Sequence, residues 1–117
     1  MWRIEFTDEF GAWWQMLDQS IQDSIDFSVS LVEQYGPALG RPHADTIAGS
    51  KHSLKELRVQ HRGKPYRIFF GFDPRRSAIL LIGGCKAGDK RFYKRMVPLA
   101  DRLYEVYLAE LRKEGLI

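Results

Sequence analysis

Leu54-Lys55-Glu56-Leu57-Arg58-Val59-Gln60, Tyr66-Arg67-Ile68-Phe69-Phe70-Gly71-Phe72-Asp73 and Ala78-Ile79-Leu80-Leu81-Ile82 decide the fold. Each is short, apolar and rich in branched or aromatic residues, the signature of a strand. The separators, His61-Arg62-Gly63-Lys64-Pro65 and Asp73-Pro74-Arg75-Arg76-Ser77, carry turn residues. Strands joined by such short turns pair antiparallel. Alternation places Leu57 and Val59 on one face of the first strand, Glu56 and Arg58 on the other. On the second, Tyr66, Ile68, Phe70 and Phe72 share a face opposite Arg67, Phe69 and Gly71. The third is apolar on both faces and is read as the central strand. Gly83-Gly84 at its end permits a bend or a close backbone approach.

Upstream, Trp2-Arg3-Ile4-Glu5-Phe6 alternates like a half-buried strand. Thr7-Asp8-Glu9 offers a helix cap with acids in the first turn. Phe10, Trp13, Trp14, Leu17 and Ile21 then recur at helical steps, and the Asp18-Gln19-Ser20 break divides two helices. Adjacent Trp13 and Trp14 are not expected to face one core. The second helix carries Ile21, Ile25, Val29 and Val32 on one stripe, with Phe27, Leu31 and Tyr35 beside it, and stops at Gly36-Pro37. Residues 37–50 read as a surface loop. Downstream, Asp89 is expected to cap a short turn through Phe92-Tyr93-Lys94, and Pro98 to sit in the first turn of a final helix. That helix carries Ala100, Leu103, Tyr104, Tyr107, Leu108 and Leu111. The order β-α-α-β-β-β-α predicts an α+β fold: two N-terminal helices and a C-terminal helix packed on a small, mostly antiparallel sheet.

At 117 residues, residues 1–117 are expected to form one domain. One cysteine, Cys85, excludes an intramolecular disulfide framework and a cysteine zinc knuckle. No His or acid spacing supports a metal site, and no cofactor is called for. No apolar run approaches the roughly 18 residues of a membrane span. Met1-Trp2-Arg3-Ile4-Glu5 has an acid where a signal peptide needs apolar residues, so a cytoplasmic location is expected. Charge is segregated along the chain. Residues 51–95 hold thirteen basic and three acidic residues, against two and eight in residues 1–50. Such a segment suggests a face for a polyanion, and solvation of strand edges is the plainer alternative.

The strand motifs Leu54-Lys55-Glu56-Leu57-Arg58, Tyr66-Arg67-Ile68-Phe69-Phe70 and Ile79-Leu80-Leu81-Ile82-Gly83-Gly84-Cys85-Lys86, in that order, resemble the RelE/ParE toxin superfamily. The stretch from Asp89 to Tyr104 resembles its HigB-type, phage Gp49-like branch in particular. The resemblance covers about residues 2–112 and implies a RelE-like fold. It also implies a bacterial type II toxin that cleaves mRNA on the ribosome and is silenced by a HigA-like helix-turn-helix antitoxin, with which it forms a higher-order complex. Where many relatives carry Phe and further lysines after this strand, the chain has Gly83-Gly84-Cys85 and Lys86 as the one lysine before Gly88, and its tail, Glu114-Gly115-Leu116-Ile117, lacks the catalytic His or Tyr of some members. The ParE branch shares the fold and poisons gyrase, and a basic RNA-binding module without toxicity is a third reading.

RNA can be cut when its own 2′-OH attacks the adjacent phosphate. The protein must accept that proton, stabilise charge on phosphorus and protonate the leaving 5′-oxygen. Arginine suits the second task. Lysine or tyrosine suits the others where neighbouring cations depress its pKa. Arg67 is expected on an open face as the phosphate-binding residue. Lys86 is expected as proton donor or charge stabiliser, and Tyr93 as acid or stacking residue. Arg58, His61, Lys90, Arg91 and Lys94 are expected to contact RNA. Arg58 has a second reading as a partner of Glu56, and Tyr93 as packing between the last helix and the sheet.

Overall fold

The computed structural model describes residues 1–117. The chain forms β1 (Arg3–Phe6), α1 (Asp8–Gln15), α2 (Gln19–Tyr35), a 3-10 turn (Gly36–Ala38), β2 (Ala44–Thr46), β3 (Lys55–His61), β4 (Lys64–Asp73), β5 (Ser77–Cys85) and α3 (Phe92–Lys113). The sheet order is β1-β5-β4-β3-β2. Only the β1–β5 pair is parallel. The architecture is the expected α+β one. No helix is long and apolar enough to cross a membrane.

Local chemistry places the helices. Thr7 accepts from the Phe10 N–H at 3.0 Å, which caps α1, and its hydroxyl donates to the Leu81 carbonyl at 2.7 Å, which ties that cap to β5. Asp18 caps α2 by accepting from the Ile21 N–H at 3.0 Å. One face of the sheet packs Leu57, Val59, Ile68, Phe70 and Leu80 against Phe10, Ile25 and Val32 of α1 and α2. The other packs Phe69, Ile79 and Leu81 against Phe92, Met96, Val97 and Ala100 of α3. Fully burying each such side chain contributes about 1.5–3 kcal/mol. A one-residue bulge at Leu81 shifts the β4–β5 register between Phe69 and Phe70, which lie fully buried on opposite faces.

Several expectations are corrected. The face carrying Arg67 is not open, because α3 lies across it. The central strand is β4, with β5 between it and β1. The 37–50 segment is more than surface loop: Ala44–Thr46 pairs with β3, and Ala44 and Ile47 are buried. Helix α3 begins at Phe92, so Pro98 lies in its interior rather than its first turn. The Lys94 carbonyl there lacks its usual N–H partner, since proline has no N–H to donate. Trp13 and Trp14 both pack on the α1–α2 core, flanking Phe10 at 5.7 and 6.1 Å between ring centres. Phe27 and Tyr35 of α2 are exposed.

Candidate nucleic-acid interface

Pleating and register assemble the site. Arg58 of β3 sits directly opposite Arg67 of β4, and Glu56 lies two residues before Arg58 on the same face. Arg67 in turn faces Gly84 of β5, where the Phe92 ring of α3 packs so close that a Cβ would lie 2.9 Å from it. Beyond β5, the Lys86 N–H donates to the Pro65 carbonyl at 2.9 Å, which turns the chain back over the start of β4. The chain then enters α3, whose first turn carries Tyr93.

These residues converge. The Tyr93 hydroxyl donates to Glu56 Oε1 at 2.7 Å and accepts from Arg67 Nε at 3.3 Å. Arg67 Nη1 donates to the Tyr66 carbonyl at 3.1 Å, and Glu56 Oε1 lies 3.7 Å from Arg67 Nε. Arg58 Nε lies 4.0 Å from Glu56 Oε2. The Lys86 ammonium stands 5.5 Å from the centre of the Tyr93 ring, within cation–π range. Only 5% of the Arg67 side chain is exposed, so its direction is set by the fold. What remains accessible faces a recess of about 340 Å³ lined by Arg41, Pro42, Arg58, Gln60 and Arg67. Asp45 holds Arg41 at that wall, 2.7 Å from Nη2.

Burial, then the hydrogen bond to Glu56, pushes the Tyr93 hydroxyl above the usual tyrosine range, and Arg67 only partly opposes them. The expected depression by neighbouring cations is therefore overturned, because burial and the Glu56 carboxylate together outweigh Arg67. Tyr93 stays a neutral phenol that can receive one proton while handing on another.

Arg58, Arg67, Lys86 and Tyr93 are thus brought together as the sequence reading grouped them, although Arg67 lies beneath Tyr93 rather than on an open surface. Both alternatives also hold in part, since Arg58 approaches Glu56 and Tyr93 packs edge-on against Phe69 at 6.2 Å. Lys90, Arg91 and Lys94 are exposed beside the start of α3. The first turn of that helix carries no acid, and Asp89 is paired with Arg95 at 2.9 Å. Cations at a helix N-terminus oppose the macrodipole, so this arrangement suits an external anion better than it suits the helix. His61 is placed apart, on the α2 face, where Ser24 lies 2.8 Å from Nδ1 and Ser20 3.2 Å from Nε2.

Sequence reasoning missed three participants. Glu56 was legible only as a partner for Arg58, and its link to Tyr93 spans 37 residues of sequence. Gln60 shares the face of Arg58 by alternation. Arg41 gave no signal, because its position depends on β2. Part of the basic charge is structural. Lys55 donates to the carbonyls of Pro37 and Leu39, and Arg76 lies over the Trp2 ring at 4.5 Å. Arg75 binds Glu5, Asp73 and Tyr107 at 2.6, 2.9 and 2.8 Å.

Residues 12–105 match the family model described as phage derived protein Gp49-like (DUF891). The chain is 44% identical over 99 residues to a candidate toxin of Mycobacterium tuberculosis, HigB3, covering 83% of this chain and 85% of that protein. It is 38% identical over 106 residues to a second candidate toxin of that organism, HigB2, covering 88% of this chain and 53% of HigB2. The chain therefore spans about half the length of HigB2. Among solved structures, the isolated E. coli RelE toxin superposes with a TM-score of 0.59 at 10% identity, covering 82% of this chain and 96% of RelE. A chain of the E. coli RelBE toxin–antitoxin complex gives 0.50 at 13% identity, covering 72% and 95%. At those identities the likeness is one of fold.

Proposed function

The chain belongs to the Gp49-like family and carries the RelE fold, and from that premise we propose that it is the toxin of a type II toxin–antitoxin pair, a ribosome-dependent mRNA endonuclease. The observation that carries this reading is the Arg67 guanidinium at the floor of an arginine-walled recess, backed by the Tyr93–Glu56 pair. The names of its relatives support a toxin, and the RelBE complex supports an antitoxin partner. That partner is a HigA-like helix-turn-helix protein, in a higher-order complex with the toxin.

The reaction is attack of a 2′-oxygen on the adjacent phosphorus, with departure of the 5′-oxygen. The phosphate enters the recess and meets Arg58 and Arg67, whose planar forks hold the charge that grows on its oxygens. Tyr93 takes the 2′-OH proton while its own proton passes to Glu56 across the 2.7 Å hydrogen bond. Lys86, whose ammonium stands 5.5 Å from the centre of the Tyr93 ring, gives a proton to the leaving 5′-oxygen. Arg41 and Gln60 hold the flanking nucleotide, and Lys90, Arg91 and Lys94 make phosphate contacts that orient the strand.

Single-turnover cleavage of ribosome-bound mRNA tests this reading. Arg67→Ala is expected to fold by circular dichroism and to cut about a hundredfold more slowly. Arg67→Lys is expected to rescue little, because a point charge lacks the bidentate fork. Undiminished cleavage by folded Arg67→Ala would exclude the residue from the mechanism. Intact mRNA with gyrase-dependent DNA breaks would replace cleavage by gyrase poisoning.

A further inference from the structure

Asp101 of α3 is only 5% exposed, and no ion pair compensates it. A carboxyl group so placed is costly unless hydrogen bonds satisfy it. Both of its partners lie in the segment that leads into β3. The Ser50 hydroxyl donates to Oδ1 at 2.7 Å, and the Lys51 N–H donates to Oδ2 at 3.1 Å. The Ser50 oxygen in turn accepts the N–H groups of His52 and Leu54 at 3.2 Å each. One turn further along α3, Glu105 Oε2 lies 2.7 Å from His52 Nε2. The 50–54 turn therefore takes its shape from α3. Leu54 is buried, and β3 begins at the next residue.

Helix α3 and strand β3 are thus tied at two places, by Asp101 on Ser50 and by Tyr93 on Glu56. The two ties stand about 12 Å apart along the helix axis, at 1.5 Å per residue. Pro98 lies between them and removes a rung of the helix ladder. The helix is weakest there, so its position against β3 has to be fixed on both sides of the proline. The buried Phe92 and Met96 fix it before the break, and Asp101 fixes it after.

We infer that Asp101 is a positioning residue for the reaction: through Ser50 it sets the entry of β3 against α3, and so holds Glu56 and Tyr93 within proton-transfer distance. The inference rests on the endonuclease reading, which it deepens. Neither Asp101 nor Ser50 lines the arginine recess, so the clasp acts on the chemical step and not on the grip on RNA. Its leverage comes from the shortness of the bond it protects. A misplacement of about 1 Å between reacting groups can cost on the order of a hundredfold in rate.

The test measures single-turnover cleavage of ribosome-bound mRNA by the full chain carrying Asp101→Asn or Ser50→Ala, each alone and combined with Tyr93→Phe. Ser50→Ala serves if Asp101→Asn folds poorly by circular dichroism. Each is expected to lower the cleavage rate constant about tenfold and to leave the half-saturating concentration within about twofold. In the Tyr93→Phe background each should cost nothing further, because the pair through which it acts is gone. Ser50→Thr keeps the hydroxyl and should restore most of the rate. Equal losses in both backgrounds would show a general effect on the fold and overturn the inference. A readout independent of cleavage is the ultraviolet titration of Tyr93, taken as the difference between each protein and its Tyr93→Phe counterpart. The bond to Glu56 helps to raise the Tyr93 pKa, so Tyr93 should ionise at lower pH in Ser50→Ala and Asp101→Asn than in wild type. An unchanged titration overturns the positioning role whether or not the chain cuts RNA. If the titration moves and wild type leaves mRNA intact, the endonuclease reading falls and the coupling of the clasp to Tyr93 stands.

Discussion

Glu56 is a buried carboxylate, and Arg67 and Tyr93 hold it for different reasons. Arg67 offsets its charge at 3.7 Å, and Tyr93 satisfies an oxygen at 2.7 Å. Removing the tyrosine hydroxyl leaves that oxygen short of a donor, whereas Glu56→Gln removes the charge and leaves Arg67 uncompensated. The two changes are therefore expected to differ. Tyr93→Phe should keep most of the stability and lower cleavage about ten- to a hundredfold, the range of one lost proton-transfer group. Glu56→Gln should lower cleavage similarly and should weaken the fold as well. The pH profile separates a relay from mere packing. Because burial and Glu56 raise the Tyr93 pKa, its proton is retained through neutral and mildly alkaline pH. Single-turnover rates should stay level there and decline only above the ordinary tyrosine range. An alkaline decline starting near neutrality would show that a different group limits the reaction.

At the scale of elements, the strands were legible because their period was uninterrupted. Leu57, Val59, Ile68 and Phe70 are all buried on the face that alternation gave them. The covering of the other face was not legible. Its signal lay in Phe69, Ile79 and Leu81, apolar residues that alternation assigns to the side opposite α1 and α2. Reading Arg67 alone on that side made it look open. Pro98 similarly hid the first turns of α3, because a local rule for proline outweighed the apolar spacing of Phe92, Met96 and Ala100. The cluster itself was legible in its cations and not in Glu56 or Arg41, which reach it through pairing partners far along the chain. Gly83 was legible as a close approach, and the structure shows to what. A Cβ built there would lie 2.3 Å from the Trp13 ring. Trp13 is held against Phe10 at 5.7 Å and has little room to retreat. Gly83→Ala should therefore destabilise by about 1–3 kcal/mol through overpacking, measured by urea denaturation, and should slow cleavage little in protein that remains folded.

Over the whole molecule, the asymmetry of charge becomes an asymmetry of faces. The basic segment 51–95 includes cations committed to structure, as Arg75 is to Asp73 and Glu5. Arg76 over Trp2 and Lys55 on two carbonyls are committed as well. Lys86 lies against Tyr93, and Lys90, Arg91 and Lys94 follow it toward the first turn of α3 with no acid in that turn. If this end receives the RNA backbone, its charges displace counterions when RNA binds, and the cost of that displacement depends on salt. Affinity for an RNA made uncleavable by a 2′-deoxy substitution should then fall linearly in log–log form as salt rises. Each phosphate contacted contributes about 0.7 to the slope for a single strand. Replacing Lys90, Arg91 and Lys94 together by alanine should lower that slope by about two and weaken binding in all sequences alike. Arg76→Ala is the control, since its guanidinium is committed to Trp2, and it should leave the slope unchanged. Equal slopes for wild type and the triple variant would mean that the charges at the start of α3 only solvate it, and that the recess alone holds the strand.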